Sequence, residues 1–164
     1  MTRFLLVIVC VAFFVLALTA MRLGWRHRAA RQSALASLPA LPSTALPTIA
    51  DDLVGLYVGS TYATSWQDRI VAHGLGIRAN ATATLSDAGV LIEREGADAI
   101  FLPAESIVEA RLAPALAGKV VGAGGLVVIR WRLGGTELDT GLRGDDKAIY
   151  PQWVRTINER LHAA

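Results

Sequence analysis

Three patterns of apolar and polar positions succeed one another along the 164-residue chain. The first is FLLVIVCVAFFVLALTAM, Phe4 to Met21, eighteen residues without a charge, a Pro or a Gly. A helix satisfies its own backbone groups over such a run, and at ~1.5 Å per residue it reaches ~27 Å, close to the ~30 Å hydrocarbon core of a bilayer. The pattern predicts a transmembrane helix spanning about 4–21. The second pattern, SLPALPSTALPTIADD, carries Pro39, Pro42 and Pro47, which exclude a regular helix and favour an extended, semi-stiff spacer. Residues 1–31 therefore read as an anchor with a basic flank, 32–52 as a Pro-rich linker and 53–164 as a folded domain.

In the third pattern the period becomes two. GLYVGSTY (55–62) is rich in aromatic and β-branched residues and reads as a first strand. After a loop at 63–75, Ile77, Ala79, Ala81, Ala83 and Leu85 alternate with Arg78, Asn80, Thr82, Thr84 and Ser86, the two faces of a half-buried strand. Further strands are predicted at 90–95, 99–103, 106–113, 126–133 and 136–142. Between them lie the SDAG turn, the Gly96 turn, a glycine-rich hairpin loop at 118–125 and the Gly134-Gly135 turn. In the sixth strand Arg130 and Arg132 lie opposite Ile129, Trp131 and Leu133. The chain closes on a helix. Asp145 or Asp146 caps its start, and Ile149, Tyr150, Trp153, Val154, Ile157 and Leu161 form one apolar stripe. Pro151 fits only a first turn, which puts the start nearer 148 than 145.

A sheet of seven antiparallel strands rolled into an open barrel leaves one end uncovered, and a helix with one apolar stripe closes it, Trp153 serving as the plug. Several segments accompany this count. They are Gly55-Leu-Tyr-Val-Gly59, Trp66-Gln-Asp68-Arg69-Ile70, His73-Gly74-Leu75-Gly76 and Gly89-Val-Leu-Ile-Glu-Arg94, then Ala117-Gly118-Lys119-Val120-Val121, Leu138-Asp139-Thr140-Gly141 and Asp145-Asp146. Together they resemble the membrane-anchored bacterial PH-like (pleckstrin-homology-like) domain proteins of high-GC bacteria. The resemblance covers about 50–162 and the anchor. It implies a mainly β fold with α, a PH-like seven-strand antiparallel partly open barrel capped by a C-terminal amphipathic helix. It carries no biochemical activity with it.

Charge divides the chain. Residues 1–50 hold five of the sixteen Lys and Arg and no acid, leaving eleven against fourteen Asp and Glu in 51–164, a net of −3. A mildly acidic domain argues against nucleic acid as partner. Arg3 precedes the apolar run, whereas Arg22, Arg26, Arg28 and Arg31 follow it, a bias that predicts a single-pass inner-membrane protein with its C-terminal domain in the cytoplasm. Arg22, Trp25, Arg26, Arg28 and Arg31 are the expected membrane-surface contacts, and the lipid bilayer the first expected partner. A cleaved signal peptide fits less well, since Leu18 stands where a small residue is needed two before Ala20. The one cysteine, Cys10, excludes an intramolecular disulfide and a Cys-based zinc site.

Candidate chemistry is sparse. Gly118-Lys119 lacks both the earlier Gly and the following Ser or Thr of a phosphate loop, and Val127 stands where a dinucleotide fingerprint needs its last Gly. His27, His73 and His162 are too scattered for a metal site, and no cofactor is expected. Trp66, Asp68, Arg69 and His73 form the densest polar and aromatic cluster, the candidate ligand or partner loop. On a helical turn Arg69 and His73 would share a face and bind an anion or run acid–base chemistry. The plainer account is that Trp66 packs under the barrel rim, Asp68 caps a turn and Arg69 pairs with a carboxylate such as Asp139, itself a strand-edge acid. Lipid-binding PH-like domains resemble one another in a basic cluster in this loop, and 63–75 departs from it, which argues against phosphoinositide-type binding. The leading expectation is a non-enzymatic, membrane-anchored binding or scaffold module. It would recognise a protein, through an exposed sheet edge, or itself. The alternatives are an accessory subunit of a membrane transport or export complex and, last, a small enzyme using the 66–73 loop.

Overall fold

The computed structural model describes residues 2–32, 35–44 and 46–163, and of 2–6, 8–9, 25–31 and 161–163 the backbone alone. The chain forms two compact units, Met1–Ala34 and Leu35–Ala164.

The first unit holds helix α1, Thr2–Gln32. Among the described residues no helix is long and apolar enough to cross a membrane. This overturns the transmembrane span expected over 4–21 and the signal-anchor reading. The single-pass inner-membrane location with a cytoplasmic domain falls with it, because the charge bias that oriented the chain had meaning only across such a span. Arg22 is exposed, while the side chains of Trp25, Arg26, Arg28 and Arg31 lie outside those described.

The second unit is built on one antiparallel sheet. Its strands are β1 Leu53–Tyr62, β2 Ala79–Ser86, β3 Gly89–Arg94, β4 Ala97–Pro103, β5 Ile107–Ala113, β8 Leu126–Leu133 and β9 Thr136–Gly144, in the order β4-β3-β2-β1-β9-β8-β5. The seven strands expected from the alternation are thus present, each end within two residues of the sequence reading. A separate short hairpin pairs β6 Ala115–Leu116, just before the glycine-rich loop expected at 118–125, with β7 Lys119–Val120 inside it, and neither strand was expected. Strands of two residues carry no readable period.

Alternation decides what lies inside. Val90 and Ile92, Ile100 and Leu102, and Val127, Ile129, Trp131 and Leu133 point into one core. The first half of β8 is buried on both faces, because the β6–β7 hairpin lies over its outside and forms a second cluster with Val58, Leu126 and Val128. Gly59 and Gly141, paired across β1 and β9, make that possible. A Cβ built on Gly141 would stand 2.6 Å from Leu116 Cδ2, and one on Gly59 3.5 Å from the Ala117 Cβ.

Helix α2, Tyr150–Ala163, closes the barrel with Tyr150, Trp153 and Ile157 buried in the core. Pro151 sits in its first turn, and Asp146 Oδ1 accepts the Ala148 amide at 2.8 Å just before it. Trp153 Nε1 donates to Asp51 O at 2.8 Å. Asn158 fixes α2 to the edge strand β5, its Oδ1 accepting Ala110 N and its Nδ2 donating to Ala110 O, both at 2.9 Å. Within the 32–52 stretch Leu35 and Ala50 are buried in the core, and Leu38 and Ile49 pack against it.

Candidate functional site

The 66–73 segment follows β1 and reverses through turns, with Thr61 bridged to Arg69 and a 3-10 turn at Ala72–Gly74. It contains no α-helical turn, so Arg69 and His73 do not stack at helical spacing. Arg69 reaches down to the sheet. Its Nη1 donates to Gly76 O at 3.1 Å and its Nη2 to Val58 O at 3.3 Å and Ala117 O at 3.0 Å. One guanidinium thereby joins its own loop, β1 and the tip of the β6–β7 hairpin. Trp66 assists through its backbone, Ala117 N donating to Trp66 O at 2.7 Å, while 42% of the Trp66 residue remains exposed instead of packing under the rim. Asp68 N closes a turn on Ser65 O. His73, exposed and at a left-handed φ of 52°, lies 3.4 Å from Leu35 O through Nε2. Arg69 and His73 therefore have separate partners.

Asp139 was expected at a strand edge, paired with Arg69. It lies on β9, between β1 and β8, with its side chain only 3% exposed. Arg130 Nε and Nη2 donate to its two oxygens at 2.8 and 3.1 Å, and Arg111 Nη2 donates at 2.6 Å. Burial alone would raise the Asp139 pKa; the hydrogen bonds from Arg130 and then Arg111 outweigh it and hold the carboxyl below its ordinary 3.8. The same contact with Asp139 pushes Arg130 up. Register explains the meeting, since Arg130 pairs directly with Asp139 and Arg111 reaches it from the next strand.

Inside the barrel runs a chain of buried hydrogen bonds. Trp131 Nε1 meets Thr140 Oγ1 at 2.9 Å, Thr140 Oγ1 meets Ser60 Oγ at 2.7 Å, Ser60 Oγ meets Tyr57 Oη at 2.9 Å, and Tyr57 Oη donates to Leu75 O at 2.8 Å. The indole can only donate and the carbonyl only accept, so every hydroxyl between them accepts once and donates once. Burial, against weaker help from Ser60 and the nearby arginines, pushes the Tyr57 hydroxyl up to about 12. Arg94 lies over the Tyr57 ring, 4.9 Å from its centre, and is 7% exposed. It donates to Asp98 O, Gly74 O and Ile77 O, and its Nη2 has no hydrogen-bond partner among the described residues. Its inward position was readable, because Val90, Ile92 and Arg94 alternate onto one face.

Two surface clefts flank this packed interior. One, of about 660 Å3, is a polar hollow on the outer side of β1–β3, lined among others by Asn80, Glu95, Arg143 and Asp145. The other, of about 860 Å3, lies between α2 and the β2–β3 turn with the β4–β5 link. Its apolar side comes from Ile49, Leu85, Ile107 and Ile157, and its rim from Asp87, Glu105, Glu159 and Arg160. Neighbours in sequence supply too little of it for a local pattern to have revealed it. Among the described residues no three His, Cys, Asp or Glu side chains cluster to hold a metal ion.

One open seven-strand sheet, closed by a C-terminal helix, defines a PH-like domain. The chain belongs to the Bacterial PH domain-like family, whose model matches residues 35–158. Domains of this kind are in general non-catalytic binding modules. No curated protein and no solved structure shows significant similarity to the chain.

Proposed function

We propose that the protein is a non-enzymatic binding or scaffold module that recognises a protein segment on its surface. The filled barrel interior carries this reading. Tyr57, Trp131 and Trp153 are fully buried there, and the hydroxyls between Trp131 and Tyr57 are taken up by one another. Recognition then falls to the outside. A net of −3 over 51–164 favours partners with basic character. The Arg69 guanidinium, held by three carbonyls, is poorly placed to grip a phosphate, which supports a protein over a phosphoinositide-type ligand.

The test is in-cell crosslinking of the tagged full chain, followed by mass spectrometry of the captured species and of the crosslinked residues. Recurrent protein crosslinks anchored within 35–158 are the expected result, to another chain or to a second copy. Capture indistinguishable from an untagged control would overturn the reading.

A further inference from the structure

Resting on that reading, we infer that the cleft beside α2 is the docking site, and that its occupant is a peptide segment presenting an apolar side chain flanked by Lys or Arg. The cleft is preformed. Ser86 Oγ donates to Gly89 O at 3.0 Å and fixes the β2–β3 turn, Ser106 Oγ donates to Pro103 O at 2.7 Å and fixes the β4–β5 link, and Asn158 holds α2 in place. Walls fixed in this way lower the ordering cost of binding.

Charge selects the occupant. Three acids and one base stand on the rim, and Arg160 is engaged by Asp87. Glu105 and Glu159, both exposed, have no salt-bridge partner among the described residues. Two carboxylates beside an apolar hollow complement a cation next to an apolar anchor, and they repel acidic segments. The β5 edge is a poorer target for an added strand, because Asn158 and α2 already occupy it.

The experiment is selection of a phage-displayed library of random linear peptides on the full chain. The enriched peptides are then titrated against wild type, Glu105→Lys/Glu159→Lys and Thr156→Trp. The two glutamates are exposed, so their reversal spares the core, and an unchanged urea midpoint confirms folding. Thr156→Trp fills the cleft from α2. Enriched peptides should pair an aliphatic or aromatic residue with Lys or Arg, and both variants should weaken them about tenfold or more. Equal binding to wild type and both variants would remove the cleft and leave surface recognition standing. Enriched peptides without basic residues would refute the assigned chemistry. No enrichment over a bait-free control would refute a linear peptide as occupant, with the crosslinking result then deciding the module reading separately. A concentration-dependent dimer abolished by Thr156→Trp would place a second copy in the cleft and overturn this partner.

Discussion

Replacing Asp139 with Asn tests whether the buried carboxylate is what holds the outer face of β5, β8 and β9 together. The side chain is 3% exposed and accepts three hydrogen bonds from two guanidiniums. Breaking a fully buried ion pair from one side costs ~3–5 kcal/mol. Here Arg111 and Arg130 keep 36% and 26% of their side-chain surface, so both can recover water, and Arg130 retains Glu109 at 3.5 Å. The expected loss is therefore smaller, ~2–3 kcal/mol. Asn also directs an amide N–H pair at donors, which keeps the loss from falling much below that range.

Urea denaturation followed by tryptophan emission measures it, since Trp131 and Trp153 move from full burial into water. The pH dependence supplies a second, independent reading. Asp139 has a lowered pKa when folded, so its stabilisation is present above the ordinary 3.8 and is lost as pH falls through the folded value. Wild type should lose this increment in acid, and Asp139→Asn should lack that part of the acid limb. A loss below ~0.5 kcal/mol, within the range of neutral surface changes, would refute the argument. An acid limb identical to wild type would do the same.

Three further outcomes follow from the same structure. Tyr57→Phe strips Ser60 of its acceptor and Leu75 O of its donor, and should cost ~2–3 kcal/mol by urea denaturation. Because the folded Tyr57 pKa is raised from 10.0 to about 12, wild type should lose stability between those values, and the difference from Tyr57→Phe should shrink by about 3 kcal/mol across that window. Asn158→Leu removes both bonds to Ala110 and should cost about 2 kcal/mol, with exposure of the β5 edge read as concentration-dependent association in sedimentation; full stability would show that the clamp is dispensable. Arg69→Lys replaces a fork that spans three carbonyls, so amide exchange in 115–121 should accelerate roughly tenfold while that of β2 and β3 stays unchanged; uniform protection would argue that Arg69 is no latch.

The strands were legible because their period is set by residues two apart. Ile129, Trp131 and Leu133 against Arg130 and Arg132 determine the faces of β8 without any knowledge of its neighbours. What the neighbours do was not legible. Arg130 could be placed on the outer face, but its meeting with Asp139 depends on the β8–β9 register, and the reach of Arg111 depends on β5 joining the same edge. Closeness in sequence misled in the 66–73 loop. A left-handed His73 and the Thr61–Arg69 bridge send Arg69 to the hairpin and His73 toward Leu35. The β6–β7 hairpin escaped notice because its docking is recorded on other strands, in two glycines that are unremarkable until Leu116 is laid over them. The N-terminal run misled through composition, since among the described residues no helix is long and apolar enough to cross a membrane.

These coverings bear on where a partner can dock. On the outer face of β1, β9 and β8, the chain's own hairpin occupies the ground that a Gly59–Gly141 floor would offer to an intruding side chain. Along β5, Asn158 takes the donor and the acceptor that an added strand would take at Ala110. Inside, two indoles and a chain of hydroxyls with fixed polarity fill the barrel. A partner at any of these places would first have to displace something already well bonded. At the α2 corner the ordering has been done by Ser86, Ser106 and Asn158, while the carboxylates of Glu105 and Glu159 remain in water. A fold that holds its walls fixed and leaves its rim charges hydrated gives up least when a complementary segment arrives, which is the physical reason to look there first.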